Sequence, residues 1–191
     1  MELRSLQDVF THELKDIHSA EKQILQALPD VIGAVESPEL KSALEEHRRL
    51  TEGHVERLEQ IFDSLDGEVP RSGKKCKGME GILKEGEELL EDEGGNGAKD
   101  AAIIGAAQKV EHYEIAAYGT LVAFAHKLGN EEAARLLEET LQEEKDADEK
   151  LSEIAMSVNE EADEGDGDLE RTTTSRQAAT SSSGKSKKGK R

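Results

Sequence analysis

The 191-residue sequence predicts an all-α protein: four long helices in one bundle, paired as two hairpins and joined by a long crossover. Three observations predict it. Charged residues make up 36% of the chain, hydrophobic residues 35% and aromatic residues 3%, with no Trp. A core built from Leu, Ile, Val and Ala among Glu, Lys and Arg is the composition of long amphipathic helices. Apolar residues recur in four segments at spacings that alternate between three and four, the period of a buried helical stripe. The lengths between those segments then limit how they pair.

The first predicted helix covers residues 3–35, with a stripe of Leu3, Leu6, Phe10, Leu14, Ile17, Glu21, Ile24, Leu28, Val31 and Val35. Pro29 lies inside it and is expected to bend it or end a regular stretch. Ser37-Pro38-Glu39 then reads as a helix start, with Ser37 as N-cap and Pro38 at the first helical position. The second helix runs to about residue 65, and its seam is Leu40, Leu44, His47, Thr51, His54, Leu58, Ile61 and Leu65. Asp66-Gly67 stops it. Residues 67–98 are rich in glycine and hold a short helix over 79–91. Gly94-Gly95-Asn96-Gly97 follows no strand and reads as a turn rather than a phosphate loop. The third long helix spans 98–128, with seam Ile104, Ala107, Glu111, Glu114, Tyr118, Leu121, Ala125 and Leu128, and ends at Gly129-Asn130. The fourth spans 131–158, with seam Leu137, Leu141, Glu144, Asp148, Leu151, Ala155 and Val158.

Links of two to four residues make each hairpin antiparallel. The link between the hairpins exceeds 30 residues. It can travel the length of a helix, about 45 Å at 1.5 Å per residue, and start the third long helix at the other end. Two hairpins with one long crossover is the ferritin-like arrangement. The bundle domain therefore occupies residues 1–158. Residues 159–191 are acidic, then Ser/Thr-rich, then basic, a composition expected to remain a disordered, solvated tail.

The net charge is −18, and residues 159–191 hold seven acids and seven Lys or Arg, so the excess lies on the bundle. Such a domain repels nucleic acid; only the basic tail end could touch it, weakly. A salt-rich cytoplasm and attraction of metal cations both account for the acidity. The single cysteine, Cys76, allows no intrachain disulfide. It has no His or acid beside it in sequence to make it a nucleophile. No apolar run approaches a membrane span and no signal peptide opens the chain, so the expectation is a soluble, cytoplasmic protein without membrane attachment.

Polar groups interrupt every seam. They are Glu21 on the first helix; His47, Thr51 and His54 on the second; Glu111, Glu114 and Tyr118 on the third; Glu144 and Asp148 on the fourth. Each alone has an ordinary reading. Glu21 could reach water from a boundary position, and the two histidines could be satisfied core residues. Thr51 could bond its own helix backbone, and Tyr118 could be core with its hydroxyl satisfied. Glu144 and Asp148 could pair with lysines, but Lys145 and Lys150 point elsewhere on the helix. Together the nine sit near the midpoint of each helix, and in antiparallel pairs midpoints meet at one height. Five carboxylates and two imidazoles in one layer need cations to be stable. Carboxylates with one or two His suit two divalent metals, Fe or Mn, and thiolates for structural zinc are absent. Di-iron and di-manganese sites in bundles take this form.

Four stretches carry a resemblance to a known family. They are DIHSAEKQ at 16–23, KCKGMEG at 75–81, QKVEHYEIAAYGT at 108–120 and TLQEEKDADEKL at 140–151. In these and in helix pattern the chain resembles the YciE/YciF family of bacterial and archaeal stress proteins over residues 1–158. The resemblance implies a ferritin-like bundle, a homodimer, and a dinuclear metal site of ferroxidase-like type. Glu21, His47, Glu111, Glu114, Glu144 and Asp148 fall on family positions. Ferritin relatives use Glu-x-x-His pairs, which neither the second nor the fourth helix has. Other members carry acids just after the position of His47, where this chain has Arg49 and Leu50. The second helix therefore offers His47 or His54 as its ligand.

The sequence reading is a stress protein holding two divalent ions, Fe foremost and Mn next, that acts on Fe²⁺, O₂ or peroxide. Glu21, His47, His54, Glu111, Glu114, Glu144 and Asp148 are the candidate ligands, with Asp148 alternatively orienting a His. Tyr118, with Tyr113 near it, is the candidate hydrogen-bond or electron donor. The alternatives are a catalase-like di-manganese enzyme, and a structural or metal-sequestering bundle without turnover.

Overall fold

A computed structural model describes residues 3–65, 73–91 and 97–181, and side chains as far as residue 163. Its elements are α1 (Leu6–Ala34), α2 (Pro38–Ser64), α3 (Lys77–Glu91), α4 (Ala98–Leu128) and α5 (Glu131–Ser181). No strand occurs among the described residues. Asp66-Gly67 and Gly94–Asn96 lie outside them.

Caps explain the boundaries. Ser5 accepts from the Asp8 amide at the start of α1, and Ser37 accepts from the Leu40 amide at the start of α2, with Pro38 next. Helix α1 continues through Pro29 to Ala34. Gly129 ends α4 at φ 72°, where its amide reaches the Ala125 and His126 carbonyls. Leu3 falls before α1 and is 56% exposed, so the stripe begins later than its spacing predicts. Helix α3 starts at Lys77, before Met79.

Helices α1 and α2 pack on each other, as do α4 and α5; α1 also packs on α4 and α2 on α5. The ring order is thus α1-α2-α5-α4. Asp100, near the start of α4, takes amides from Glu36 (3.1 Å) and Ser37 (2.6 Å) at the end of α1, so α1 and α4 run antiparallel. Every neighbour in the ring is antiparallel, and α2 and α4 sit diagonally and parallel. A chain leaving α2 must return the whole bundle length before it starts α4, which is why the crossover is long. Within the crossover, α3 lies against α1 and α4.

The core follows the predicted seams: Phe10, Leu14, Ile17, Leu40, Leu58, Ile61, Ile104, Leu121 and Leu137 are all at most 2% exposed. Helix α5 continues as backbone to Ser181, beyond the end at residue 158 that its apolar pattern predicts. Val158 is nonetheless its last buried apolar side chain among those described. The Val158 turn packs at the entry of α4: a Cβ on Gly97, at φ 79°, would come within 3.2 Å of the Ala162 amide and 3.3 Å of the Val158 carbonyl. Residues 182–191 of the tail lie outside the described residues.

Asp100, itself 3% exposed, accepts from two amides in the turn between α1 and α2 that neither helix pairs. Asp100→Ala is expected to destabilise the chain by about 2 kcal/mol in chemical denaturation, since it leaves donors unpaired at a charged acceptor's place.

Candidate metal centre

Each helix brings its mid-seam polar group to the bundle axis, and the structure brings six of the candidates together. His47, Glu111, Glu114 and Glu144 offer ligand atoms within 4.8 Å of one another, and so do Glu21, His54 and Glu144. Glu144 belongs to both groups. His47 and His54, two turns apart on the same face of α2, each fall in a different group.

The centre is dry and short of partners. Glu21, His54, Glu114 and Glu144 are 0% exposed, Glu111 is 2% and His47 7%. Among the described residues, eight buried side-chain atoms have no hydrogen-bond partner: Glu21 Oε2, His47 Nδ1, His54 Nδ1, Glu111 Oε2, and both carboxylate oxygens of Glu114 and Glu144. Buried polar atoms normally have partners. Here the orphans belong to the same six residues, and all are atoms that donate electron pairs to a cation once deprotonated. The donor set, carboxylate with imidazole and without thiolate, fits Fe or Mn. His47 Nε2 is 3.6 Å from Glu111 Oε1. His54 Nδ1 is 2.9 Å from Glu144 Oε1 and 3.5 Å from Glu21 Oε1, as close ion pairs rather than well-formed hydrogen bonds.

Protonation responds to this crowding. Burial, and then the charge of Glu144, pushes Glu111 and Glu114 well above the usual carboxylate range. Burial alone would depress both histidines and does depress His47. At His54 the Glu144 and Glu21 carboxylates outweigh burial and raise the imidazole to about 10. Burial would raise Glu144 as well, but His54 holds it below its ordinary value. These shifts all favour protons on Glu111, Glu114 and His54.

A second layer, which the sequence reading missed, holds His54. Its Nε2 meets Glu143 Oε2 at 3.0 Å. Arg57 pairs with that same carboxylate, and reaches Thr140 Oγ1 at 2.9 Å and Glu139 Oε1 at 3.0 Å. A carboxylate behind a ligand histidine fixes which ring nitrogen faces the ion. Only tertiary packing pairs Arg57 with Glu143, so no spacing in the sequence signals it. Tyr118, fully buried, donates its hydroxyl to Glu21 Oε1 and meets the His54 ring edge-on at 6.3 Å. Thr51 bonds the His47 carbonyl of its own helix at 2.9 Å.

Two candidates lie elsewhere. Asp148 belongs to neither group; it accepts from Gln108 at 3.1 Å and stands 3.6 Å from the exposed His112, so it orients neither His47 nor His54. Tyr113 donates to Asp16 at 2.8 Å and touches Cys76 Sγ at 2.9 Å. Lys74 closes this cluster on Asp16 at 2.8 Å. Cys76 is fully buried, burial pushes its thiol up, and Gly78 lies so close to the Tyr113 ring that a Cβ would come within 2.9 Å. The KCKGMEG stretch thus seats α3 on α1 and α4 rather than supplying a nucleophile.

Among the described residues, no helix is long and apolar enough to cross a membrane. A family described as a domain of unknown function, DUF892, matches residues 5–163. Protein YciF of Escherichia coli K12 is 44% identical over 164 residues, covering 85% of this chain and 98% of the relative. The crystal structure of the E. coli stress protein YciF superposes with a TM-score of 0.79 at 43% identity, covering 82% of this chain and 98% of that one. A structure of YcfI from Rhodopseudomonas palustris gives 0.75 at 40% identity, covering 79% and 95%. A Xanthomonas campestris protein at 22% identity shares the fold, with a TM-score of 0.64 over 88% of this chain and 99% of that one.

The second layer has a measurable consequence. Glu143→Ala is expected to weaken Mn²⁺ binding by about 10- to 100-fold in calorimetric titration while the helical content stays unchanged. Because an incoming ion must displace the protons on Glu111, Glu114 and His54, Mn²⁺ affinity of the wild type is expected to rise from about pH 6 to about pH 8.

Proposed function

The chain belongs to the DUF892 family, and from the centre it encloses we propose that it is a ferritin-like stress protein that binds two metal ions and reacts with Fe²⁺ and O₂ or peroxide. The observation that carries the reading is the sharing of Glu144 by two groups of buried, partnerless ligand atoms. The likeness to the E. coli stress protein YciF supports the stress setting.

A pair of bound Fe or Mn ions would supply redox change and would polarise an oxygen species. The protein's residues do the rest. Glu144, which belongs to both groups, would be the carboxylate that serves both ions; His47, Glu111 and Glu114 would complete one side, and Glu21 and His54 the other. Glu143 and Arg57 hold the His54 ring with Nδ1 toward the centre. Tyr118 keeps a proton on its phenol, because burial and the neighbouring Glu21 push that group well above its ordinary value. Its hydroxyl fixes one oxygen of Glu21, and Oε2, without a hydrogen-bond partner, would be free to hold an ion. The enclosing apolar seams keep Glu21, His54, Glu114, Tyr118 and Glu144 from solvent, each at 0% exposure.

Adding Fe²⁺ to the wild type in aerated buffer is expected to consume O₂ or added peroxide in proportion to Fe²⁺, and Glu144→Ala is expected to lose this. Tyr118→Phe is expected to keep its metal and slow the reaction about tenfold, the effect of one hydrogen bond to a charged group. Metal binding without oxidant consumption would contradict the proposal and favour sequestration. O₂ release from peroxide by the Mn²⁺ form would replace it with catalase-like chemistry.

A further inference from the structure

Two cavities meet at the His47–Glu111 pair, and they differ in character. One, of about 330 Å³ between α2 and α5, is rimmed by Glu46, Glu143, Asp146 and Lys150, a lining suited to ions and water. The other, of about 160 Å³, lies among α1, α2, α3 and α4. Its walls are largely apolar and include the buried Leu28, Leu44, Ile103 and Val110. At its inner end are His47 and Glu111, whose Nδ1 and Oε2 have no partner. At its outer edge are two exposed acids, Asp30 and Glu87.

Helix interfaces usually pack closely, and this one leaves a partly open apolar pocket instead. The space exists because small side chains stand where large ones would fill it: Ala27 on α1, Gly86 on α3, and Ala106 and Ala107 on α4. A Cβ on Gly86 would already touch Ala106 at 3.7 Å. Dioxygen or peroxide needs little of this volume, since a water's share of the liquid is about 30 Å³. An apolar cavity of about 150 Å³ holds benzene. The acids at the edge, on a chain of net charge −18, oppose an anionic guest.

We propose that this cavity is a binding site for a neutral apolar organic molecule of about benzene size, seated against His47 and Glu111. It names an organic substrate class for the centre and, in that respect, rests on the metal reading above; the pocket itself stands on its lining. Helix α3 then has a purpose beyond spanning the crossover, because Leu83 and Gly86 form the cavity's outer wall.

The test titrates the full-length protein with toluene and with benzoate, followed by ligand-observed NMR, and measures metal content in the same samples. Toluene is expected to bind saturably, and benzoate about tenfold more weakly or worse. Ala106→Leu is expected to abolish toluene binding while metal content and helical content stay at wild-type levels. Should Ala106→Leu fail to fold, Ala27→Leu fills the same space from α1 and carries the same expectation. A metal-loaded wild type that shows no saturable toluene binding, or equal binding by a folded filled variant, overturns the cavity proposal alone. Toluene binding by a chain that takes up no metal leaves the cavity standing and overturns the metal reading.

Discussion

Six ionisable side chains close to one another in a dry interior constrain everything else in this protein. Four carboxylates and two imidazoles meet at the bundle axis with exposures of 7% or less. An unpaired buried charge costs several kcal/mol unless it is neutralised. The protein has two ways to neutralise them: protons, which raised Glu111, Glu114 and His54 represent, or cations. The apolar seams above and below the layer hold the helices at the spacing that makes the groups converge. Glu143, Arg57 and Tyr118 then orient them.

Much of this was legible in the sequence because helical period and position translate directly into burial. The seam of α2 shows it best: Leu40, Leu44, His47, Thr51, His54, Leu58 and Ile61 are all buried, as their alternation predicts. The link lengths gave the hairpins and crossover for a geometric reason, since only a long link can join parallel diagonal helices. What period cannot report is the side-chain's reach. Asp148 occupies a seam position one turn after Glu144, yet it is half-buried and turns to Gln108 rather than to the centre. Arg57 and Glu143 lie beside the seams, so their pairing behind His54 comes from the packing of α2 on α5. The α5 backbone past Val158 also lies beyond the end that the apolar pattern predicts.

The crossover shows how the fold and the centre are joined. Cys76, Tyr113 and Asp16 tie its end to α1 and α4 through short hydrogen bonds, and Gly78 admits the Tyr113 ring. That anchorage places α3 over the gap left by Ala27, Ala106 and Ala107. The result is a centre with a charged approach on one side and an apolar one on the other. Relatives of 40% identity or more share the fold over nearly their whole length, so the architecture is a family property.

The central claim is that the converging acids and histidines are a dinuclear metal site. Elemental analysis of the chain purified without chelator, beside Glu144→Ala, tests it most directly. About two Fe or Mn per chain are expected in the wild type, with loss of both in the variant because Glu144 belongs to both groups. No metal in either protein, with equal stability in both, would contradict it and leave the layer as a proton-neutralised core.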